Sequence, residues 1–220
     1  MFTGIVEAVG TLKRIEKRGA GAVIEVITPD SFALSQRVVI GDSIANNGVC
    51  LTATAVQGSS FVADVSAETM EQTCFGFYVR GQKINLELAC TPQTHLGGHI
   101  MQGHVDGIGE VVQSRPLDEA VDVFIRCPHE LSRYIAKKGS IAVDGVSLTV
   151  NDIDCDVFRL TLIPHTQSGV NFESWKVGAK VNLEADVLSR YLERLLLARE
   201  DDKNHSEGVT MQSLLENGFI

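Results

Sequence analysis

The chain has 220 residues, a formal net charge of −9 at neutral pH and an isoelectric point near 5.1. This acidic balance argues against nucleic acid as the main partner, because binding a phosphate backbone needs clustered lysine and arginine. Hydrophobic residues make up 44% of the chain, but no apolar run approaches the length of a membrane span, so no membrane partner is expected.

The first part of the chain is predicted to form short strands. Lys83 to Leu88 alternates polar and apolar residues, and Phe61 to Ser66 does so more weakly. A two-residue period is typical of a strand with one buried face. Further along, Pro92 and the Gly97-Gly98 pair indicate a turn or linker.

The rest of the chain repeats this first part. Ser43 to Ala53 aligns with Ser140 to Val150 at an offset of 97, with seven identities in eleven positions. Phe2 to Gly10 aligns with Met101 to Gly109 at an offset of 99. A duplication of this length predicts two copies of one domain rather than a solenoid of shorter units.

Two segments have helical features. Pro128 to Gly139 is predicted to be a short helix, with proline at its start and glycine just past its end. A longer helix is predicted after Asp186, a suitable cap, because apolar residues recur there at helical spacing. They are Val187, Leu188, Tyr191, Leu192, Leu195 and Leu196. The run from Asp201 to Glu207 is expected to be solvated, and Thr210 to Gly218 could form a frayed helix.

The expected fold is all-β: two similar six-stranded antiparallel Greek-key barrels from an internal duplication, plus a C-terminal α-helix. Residues 1–97 and 98–186 are the two barrels, 187–200 the helix, and 201–220 a polar tail that could contain a short helix. The apolar stripe of the helix favours pairing with the same helix in other subunits. Docking on its own barrel is the alternative.

The repeat junction contains three histidines, His95, His99 and His104. No metal is expected, because the Gly97-Gly98 pair breaks any helix that would align the first two, and no further ligand cluster completes a set. His95 and His99 are expected to satisfy backbone groups. His104 replaces Ile5 of the first copy, and this change from an apolar to a titratable side chain suggests a function.

The aligned copies also differ at Cys50 against Ser147 and at Asn47 against Asp144. Two identical ligands need the same pocket twice for binding, but chemistry that makes one the donor and the other the acceptor needs pockets that differ. The alternatives are an inert buried thiol at Cys50 and strand hydroxyls bonded to the backbone at Ser147 and Thr149.

Two further features bear on ligand and location. Gly4 and Gly103 occupy matching positions, where glycine would let a flat ligand approach the backbone; a bulge is the alternative. The five cysteines include no C-x-x-C pair and are odd in number, which indicates a reduced, cytoplasmic setting. No dinucleotide, P-loop or serine-hydrolase motif occurs, so no nucleotide cofactor is expected.

The motifs together resemble the riboflavin synthase family over residues 1 to about 200. They are M-F-T-G-I-V at the start, the paired N-G-V-C-L-T and D-G-V-S-L-T segments, G-G-H-x-M-x-G-H-V-D at the junction, and the helix after N-L-E-A-D. The resemblance implies a cofactor-free transferase of riboflavin biosynthesis. Such an enzyme moves a four-carbon unit between two 6,7-dimethyl-8-ribityllumazines, giving riboflavin and 5-amino-6-(ribitylamino)pyrimidinedione. It also implies a homotrimer held by the C-terminal helices, in which each barrel binds one lumazine and unlike barrels of neighbouring subunits face each other.

The resemblance also implies which residues form the site. Those expected to influence turnover are Phe2, Ser43, Cys50, His104, Ser147 and Asp186. The ligand-facing residues of the first barrel would be Gly4, Ile5, Val6, Cys50, Leu51, Thr52, Asp64, Val65, Ser66, Ala67, Glu68 and Thr69. Those of the second would be Gly103, His104, Val105, Lys138, Ser147, Leu148, Thr149, Thr161, Leu162, Ile163, Pro164, His165 and Thr166.

Our hypothesis for the chemistry is that Ser43 or His104 assists deprotonation of the C7 methyl of one lumazine. Cys50 or Ser147, or a water that they position, adds to C7 of the other. One rival is a non-catalytic lumazine-binding antenna protein, although such proteins tend to lose the second pocket that this chain keeps. A more distant rival is a two-barrel flavin-binding domain of an oxidoreductase, but no nicotinamide-binding domain follows here.

Overall fold

The computed structural model describes residues 1–205 and 211–219. The chain divides into two units, Met1–Asp186, which contains both barrels, and Val187–Ile220. Within the described part, no helix combines the length and apolar character needed to cross a membrane.

The first copy forms a closed antiparallel barrel. Its strands are β1 (Ala8–Arg18), β2 (Gly21–Ile27), β3 (Ser43–Asn46), β4 (Val49–Gln57), β5 (Ser60–Val65) and β6 (Lys83–Leu88). They pair in the order β1-β2-β5-β4-β3-β6, a Greek-key arrangement that closes when β6 pairs with β1. The inward face of the strands is apolar, and Leu12, Ile24, Phe61 and Leu86 are at most 1% exposed. The predicted alternation is confirmed for β5, whereas β6 is buried on both faces from Ile84 to Glu87.

The second copy repeats this architecture with one strand divided. Its strands are β7 (Gly107–Leu117), β8 (Ala120–Arg126), β9 (Ser140–Val143), β10 (Val146–Thr149), β11 (Asp152–Asp154), β12 (Val157–Leu162) and β13 (Lys180–Ala185). They form a seven-stranded sheet in the order β10-β9-β13-β7-β8-β12-β11. The all-β duplicated fold is confirmed, but the predicted six strands become seven and the sheet stays open between β10 and β11.

The irregularity that divides this strand in the second copy is present in a weaker form in the first copy. The β4–β5 register shifts between Ala53 and Ala55, so β4 already carries an irregularity there. At the matching place in the second copy, the Val150 amide bonds to Gly139 O at 2.9 Å and the Asn151 amide to Arg159 O at 2.8 Å. The chain thus changes partner between these two residues, which ends β10 and starts β11.

Short helices connect the strands. Those of the first copy are α1 (Leu34–Arg37) and α2 (Ala67–Gln72), and those of the second are α3 (His129–Ser132) and α4 (Pro164–Gly169). The predicted helix from Pro128 to Gly139 is wrong in its length. After α3 the chain continues in tighter turns, with the Ile135 amide bonded to Ser132 O, and Lys138 has a φ of +67° that an α-helix cannot accommodate. Each copy therefore has two short α-helices, of which the sequence indicated only the one that begins after Pro128.

The two barrels meet at their β3–β4 and β9–β10 hairpins. Asn47-Gly48 and Asp144-Gly145 have positive φ at both central residues, as type I′ turns require. A Cβ on Gly145 would lie 2.6 Å from Gly48 N, so the two turns touch through their backbones. Only glycine fits at this contact.

Buried asparagines join the barrels around these turns. The Asn85 amide group donates to Asp144 O at 2.9 Å, and its counterpart Asn182 donates to Asn47 O at 2.8 Å. Each asparagine is at most 2% exposed and reaches from its own barrel to the other. The pair forms a symmetric polar bridge whose buried donors are satisfied.

The C-terminal unit contains two helices, α5 (Val187–His205) and α6 (Met211–Glu216). Helix α5 extends five residues beyond the predicted limit of residue 200, into the run expected to be solvated. The end of that run, from Ser206, lies outside the described residues. Helix α6 falls within the segment Thr210 to Gly218 that was expected to form a short helix. Five of the predicted stripe residues of α5 are 58 to 64% exposed: Leu188, Tyr191, Leu192, Leu195 and Leu196.

Candidate active site

Two short segments cross at the centre of the barrel unit. We call residues 2–6 the first arm and residues 101–105 the second arm. Phe2 and Met101 pair as an antiparallel bridge, with the Phe2 amide 2.8 Å from Met101 O and the Met101 amide 3.1 Å from Phe2 O. Both side chains are buried, at 1% and 0% exposed. The arms are therefore related by the same approximate two-fold symmetry as the copies.

The first arm lies on the second barrel. The Ser147 amide donates to Gly4 O at 2.9 Å, and the Val6 side chain packs against the core of the second barrel. Gly4 has a φ of +76°, and a Cβ there would lie 2.5 Å from the Cβ of Ser147. The glycine is therefore required by close contact between protein segments and by backbone conformation.

The second arm lies on the first barrel in the same way. The Cys50 amide donates to Gly103 O at 2.9 Å, and Val105 packs against the first core. A Cβ on Gly103 would lie 2.6 Å from the Cβ of Cys50 and 2.9 Å from the ring of Phe2.

This exchange bears on the expected grouping of ligand-facing residues, which stays a prediction. Gly4 to Val6 was assigned to the first barrel and Gly103 to Val105 to the second, and the structure adds that each arm also contacts the opposite barrel. The close approach at Gly4 and Gly103 is to Ser147 and to Cys50, not to an open pocket.

A buried glutamate holds each arm from its own barrel. Glu87 accepts from the Thr3 amide at 2.6 Å, from the Thr3 hydroxyl at 2.7 Å and from the Gly4 amide at 3.0 Å. Glu184 accepts from the amides of Gln102 at 2.6 Å and of Gly103 at 3.0 Å. Each carboxylate is 5% exposed. These two residues fix the arms, and the sequence prediction missed them.

Burial perturbs both carboxyl groups. It raises the pKa of Glu184 to about 7 and also raises the pKa of Glu87, while the hydrogen bonds from the arm amides oppose the rise. A signal was available in the sequence, because both residues end the repeated K-[IV]-N-L-E motif. Alternation alone placed them on an outward strand face, and the arms cover that face.

The predicted residues of the first barrel fall into three places. Ser43 pairs with Thr52 across β3 and β4, next to half-buried Cys50. The segment from Asp64 to Thr69 leaves β5 and enters the first turn of α2, where Ser66 caps the helix by accepting from the Thr69 amide at 3.0 Å. Leu51 and Val65 point into the core, and Ala67 and Glu68 are exposed.

Two further predicted residues near the first barrel, Phe2 and His104, lie on the arms. Phe2 is buried in a small cluster with Ala45 and Met101, against which Cys50 packs. His104 is exposed on the second arm, beside Gly103 and Val105, which contact this barrel. The structure therefore places His104 on the arm that covers Cys50.

The predicted residues of the second barrel are arranged similarly. Ser147 and Thr149 pair with Ala142 and Ser140 across β9 and β10. Thr161 lies on β12, and the following residues enter α4 at Pro164. The remaining members are buried Leu162, half-buried Leu148 and Thr166, and exposed Lys138, Ile163 and His165.

Thr161 takes part in a polar cluster that the sequence did not indicate. Its hydroxyl donates to Asp122 at 2.6 Å, and Arg115 and Arg159 bond to the same carboxylate at 2.6 and 3.2 Å. Asp122 is fully buried, and these partners hold its pKa below its usual value despite the desolvation that opposes them. The hydroxyl of Thr161 is therefore committed to the protein.

His99 contacts a predicted catalytic residue. Its Nδ1 lies 2.7 Å from Oγ of Ser147, and the ring is 7% exposed. The expectation that His99 satisfies backbone groups with its side chain is therefore wrong, as is the alternative that the Ser147 hydroxyl bonds to the backbone. His95, by contrast, is exposed. Asp186, half-buried at the end of the barrel unit, acts on the His99 ring through its charge.

The difference between Asn47 and Asp144 belongs to the interface between the barrels. Asn47 donates to the Tyr78 hydroxyl at 2.6 Å, whereas Asp144 accepts from Trp175 Nε1 at 2.9 Å. Tyr78 and Trp175 occupy matching positions at the offset of 97. A tyrosine hydroxyl can accept a hydrogen bond but an indole N–H can only donate, so the two copies need different partners. This asymmetry has a structural reason.

A cavity of about 830 Å³ lies beside the first arm. Its lining includes Ile5 and Ser43, together with Glu87, Arg37 and Cys90, but no residue from the α2 or α4 segments. It overlaps the predicted first-barrel site only in part. No group of three candidate metal-binding side chains occurs among the residues that the structure describes.

Comparison with known proteins agrees with this architecture. A family model described as the lumazine binding domain matches the chain twice, over residues 3–89 and 102–186. Among solved structures, LumP complexed with riboflavin superposes with a TM-score of 0.78 at 25% identity, covering 84% of this chain and 99% of the other. LumP complexed with 6,7-dimethyl-8-(1'-D-ribityl) lumazine gives a TM-score of 0.76 at 24% identity with the same coverage. The fold and the repeated match define a protein with two lumazine-binding domains.

Similarity over the full length narrows this class. Riboflavin synthase from Photobacterium phosphoreum is 46% identical over 220 residues, covering 100% of both chains. Riboflavin synthase from Bacillus subtilis is 37% identical over 219 residues, again covering 100% of both. The chain belongs to the riboflavin synthase family.

Proposed function

We propose that this chain is a riboflavin synthase, the transferase that converts two 6,7-dimethyl-8-ribityllumazines into riboflavin and 5-amino-6-(ribitylamino)pyrimidinedione. The observation that carries the proposal is that both copies are complete. Each barrel keeps its hairpin, its arm glycine and its buried glutamate, so each can bind one lumazine. Two equivalent sites suit a reaction in which both substrates are the same molecule.

The proposed site needs no strong base, because the C7 methyl carbanion of the lumazine is delocalised into the ring. Holding the two reactants face to face can lower the barrier by about 7 to 11 kcal/mol. In the proposed chemistry, Ser43 or His104 assists deprotonation of one lumazine. Cys50 or Ser147, or a water that they position, adds to C7 of the other and is later displaced.

The exchanged arms divide these groups between the barrels. Ser43, Cys50 and His104 lie on or over the first barrel, and Ser147 lies on the second with Asp186 nearby. The remaining predicted residues, on the strands and short helices described above, are proposed to contact the lumazines. The two barrels of one chain are proposed to face unlike barrels of neighbouring subunits.

We propose a homotrimer held by helix α5. The support is the row of exposed apolar side chains on this helix, among them Tyr191, Leu192 and Leu195, which are each at least 60% exposed. A contiguous apolar face of this kind is typical of an interaction surface. In this proposal 1–97 and 98–186 are the lumazine-binding units, 187–200 is the trimerisation segment and 201–220 is a tail outside the site.

We also place the protein in the cytoplasm. The supporting observation is that all five cysteines are free thiols. Burial raises the pKa of Cys74 well above its usual value and raises the pKa of Cys127 to about 11. Such thiols stay protonated and are poor nucleophiles for disulfide exchange.

The test is to mix the purified chain with 6,7-dimethyl-8-ribityllumazine and to follow riboflavin by its longer-wavelength fluorescence. We expect one riboflavin for every two lumazines consumed, and two lumazines bound per chain. Binding without conversion would instead indicate the antenna type of protein, which the fold similarity to LumP makes the second candidate. Full turnover by each of Cys50→Ser, His104→Gln and Ser147→Ala would show that the residue assignment is wrong.

A further inference from the structure

The contact between His99 and Ser147 is built tightly into the fold. The His99 amide bonds to Thr3 O at 3.1 Å, which ties the junction to the first arm. A Cβ on Gly98 would lie 2.7 Å from the Cβ of Ser147 and 2.8 Å from its Oγ. The residue before His99 must therefore be glycine, because any side chain would separate the histidine from the serine.

The contact has no counterpart in the first copy. Ser147 matches Cys50 at the offset of 97, and no histidine is hydrogen-bonded to Cys50 among the described residues. The histidine–hydroxyl contact is therefore specific to the second copy within the described part of the chain. It distinguishes the second barrel from the first at the residue pair that the proposed chemistry uses.

The surroundings of the ring favour a neutral imidazole that can accept a proton. Burial lowers the pKa of His99, and the Asp186 carboxylate partly opposes this effect. Strand β10 supplies the Ser147 hydroxyl that contacts the ring, the first arm accepts from the His99 backbone amide at Thr3 O, and Asp186 supplies the charge that acts on the ring. The other ring nitrogen, Nε2, is buried and has no hydrogen-bond partner among the described residues.

We propose that His99 is a positioning residue for Ser147, whose hydroxyl proton it accepts at Nδ1. This inference rests on the proposed function and makes it more specific. When the Ser147 oxygen, or a water bonded to it, adds to C7 of the second-barrel lumazine, the electron pair of the C6–C7 double bond moves through the conjugated ring to the C4 carbonyl oxygen. The hydroxyl proton moves to Nδ1, and Asp186 stabilises the resulting imidazolium. Displacement of the oxygen returns the proton.

The test uses two substitutions at His99 and a control elsewhere. His99→Leu removes the acceptor, and His99→Asn keeps a polar atom near the Nδ1 position that cannot titrate. Exposed His129→Gln is the matched control. We expect His99→Leu to lower kcat about 100-fold, as for loss of a general base, with a much smaller change in the Kd for lumazine. We expect His99→Asn to recover part of the rate, and the control to match the wild type.

Two further readouts separate positioning from a purely structural role. In the wild type, kcat/KM should fall as the pH drops through the lowered pKa of His99, because the imidazolium cannot accept a proton; this fall should be absent in His99→Asn. In a Ser147→Ala background, His99→Leu should cause no further loss. Any of three results would overturn the inference. They are a wild-type rate in His99→Leu, independent losses in the double variant, and an unchanged fall of kcat/KM at low pH in His99→Asn. Failure of the wild type to form riboflavin would instead refute the proposed function.

Discussion

The pairing of Asp144 with Trp175 predicts a coupled stability effect. Asp144 accepts from the Asn182 amide at 2.8 Å and from Trp175 Nε1 at 2.9 Å, and both Asp144 and Trp175 are at most 3% exposed. In Asp144→Asn one side-chain oxygen is replaced by an N–H donor, which must face one of these two donors. An unsatisfied buried donor costs about 1 to 3 kcal/mol. This cost is separate from the desolvation of the carboxylate, which the substitution relieves.

The first barrel shows how the cost of the unsatisfied donor can be removed. There Asn47 donates to the Tyr78 hydroxyl, which can accept, so Trp175→Tyr should restore an acceptor for Asn at position 144. We therefore expect Asp144→Asn to destabilise the wild-type background by about 1 to 3 kcal/mol more than the Trp175→Tyr background.

The measurement is chemical denaturation of the four proteins at pH 8 and at a fixed protein concentration. Burial raises the pKa of Asp144 to about 7, so the carboxylate is mainly ionised at this pH. The four proteins form a double-mutant cycle. The desolvation cost of Asp144 is present in both backgrounds and cancels in this cycle, as does the packing change at position 175. An equal effect of Asp144→Asn in both backgrounds would refute the proposed hydrogen-bond logic.

Three further predictions concern the arms and the terminal helix. Gly103→Ala should destabilise the protein by about 1 to 3 kcal/mol more than Gly19→Ala in denaturation. Both glycines have positive φ, but only a Cβ at Gly103 would meet other atoms. Equal losses in the two variants would exclude the arm contact. The folded pKa of Glu184, about 7, exceeds its reference value of 4.5, so stability from this group should be lost as pH rises from 4.5 to 7. Glu184→Gln should flatten that slope, and an unchanged slope would contradict the assignment. Leu195→Glu should lower the sedimentation mass from trimer to monomer while Arg194→Glu should not; a monomeric wild type would disprove the trimer.

Local patterns in the sequence predicted most of the fold. The two-residue period located strands such as β5 and β6, and gap-free alignment of the Ser43 and Ser140 segments established the duplication. Strand pairing follows from these because hairpins with Asn-Gly and Asp-Gly turns set their own register. The strand break at Val150 was missed, because a small irregularity in β4 becomes a change of partner only in three dimensions.

The candidate site was harder to predict, because its main contacts join distant parts of the chain. Sequence alignment matches Gly4 with Gly103 but does not reveal that each contacts the other copy. His99 and Ser147 are 48 residues apart, and His99 lies before the aligned part of the second arm. Glu87 resembled an ordinary strand residue until the arm that covers it was known.

The exchange of arms also explains how a duplicated protein could acquire two different pockets. The backbone contacts at Cys50 and Ser147 are the same in both barrels, so ligand binding can remain equivalent. At these two positions the differences lie in the side chains: the arm over Cys50 carries His104, and the residue beside Ser147 is His99. Each barrel thus combines a potential nucleophile from one segment with a histidine from a segment near the junction. In the proposed reaction the barrels can bind identical lumazines and still treat them differently, because proton acceptors can change without moving the backbone that holds the ligands.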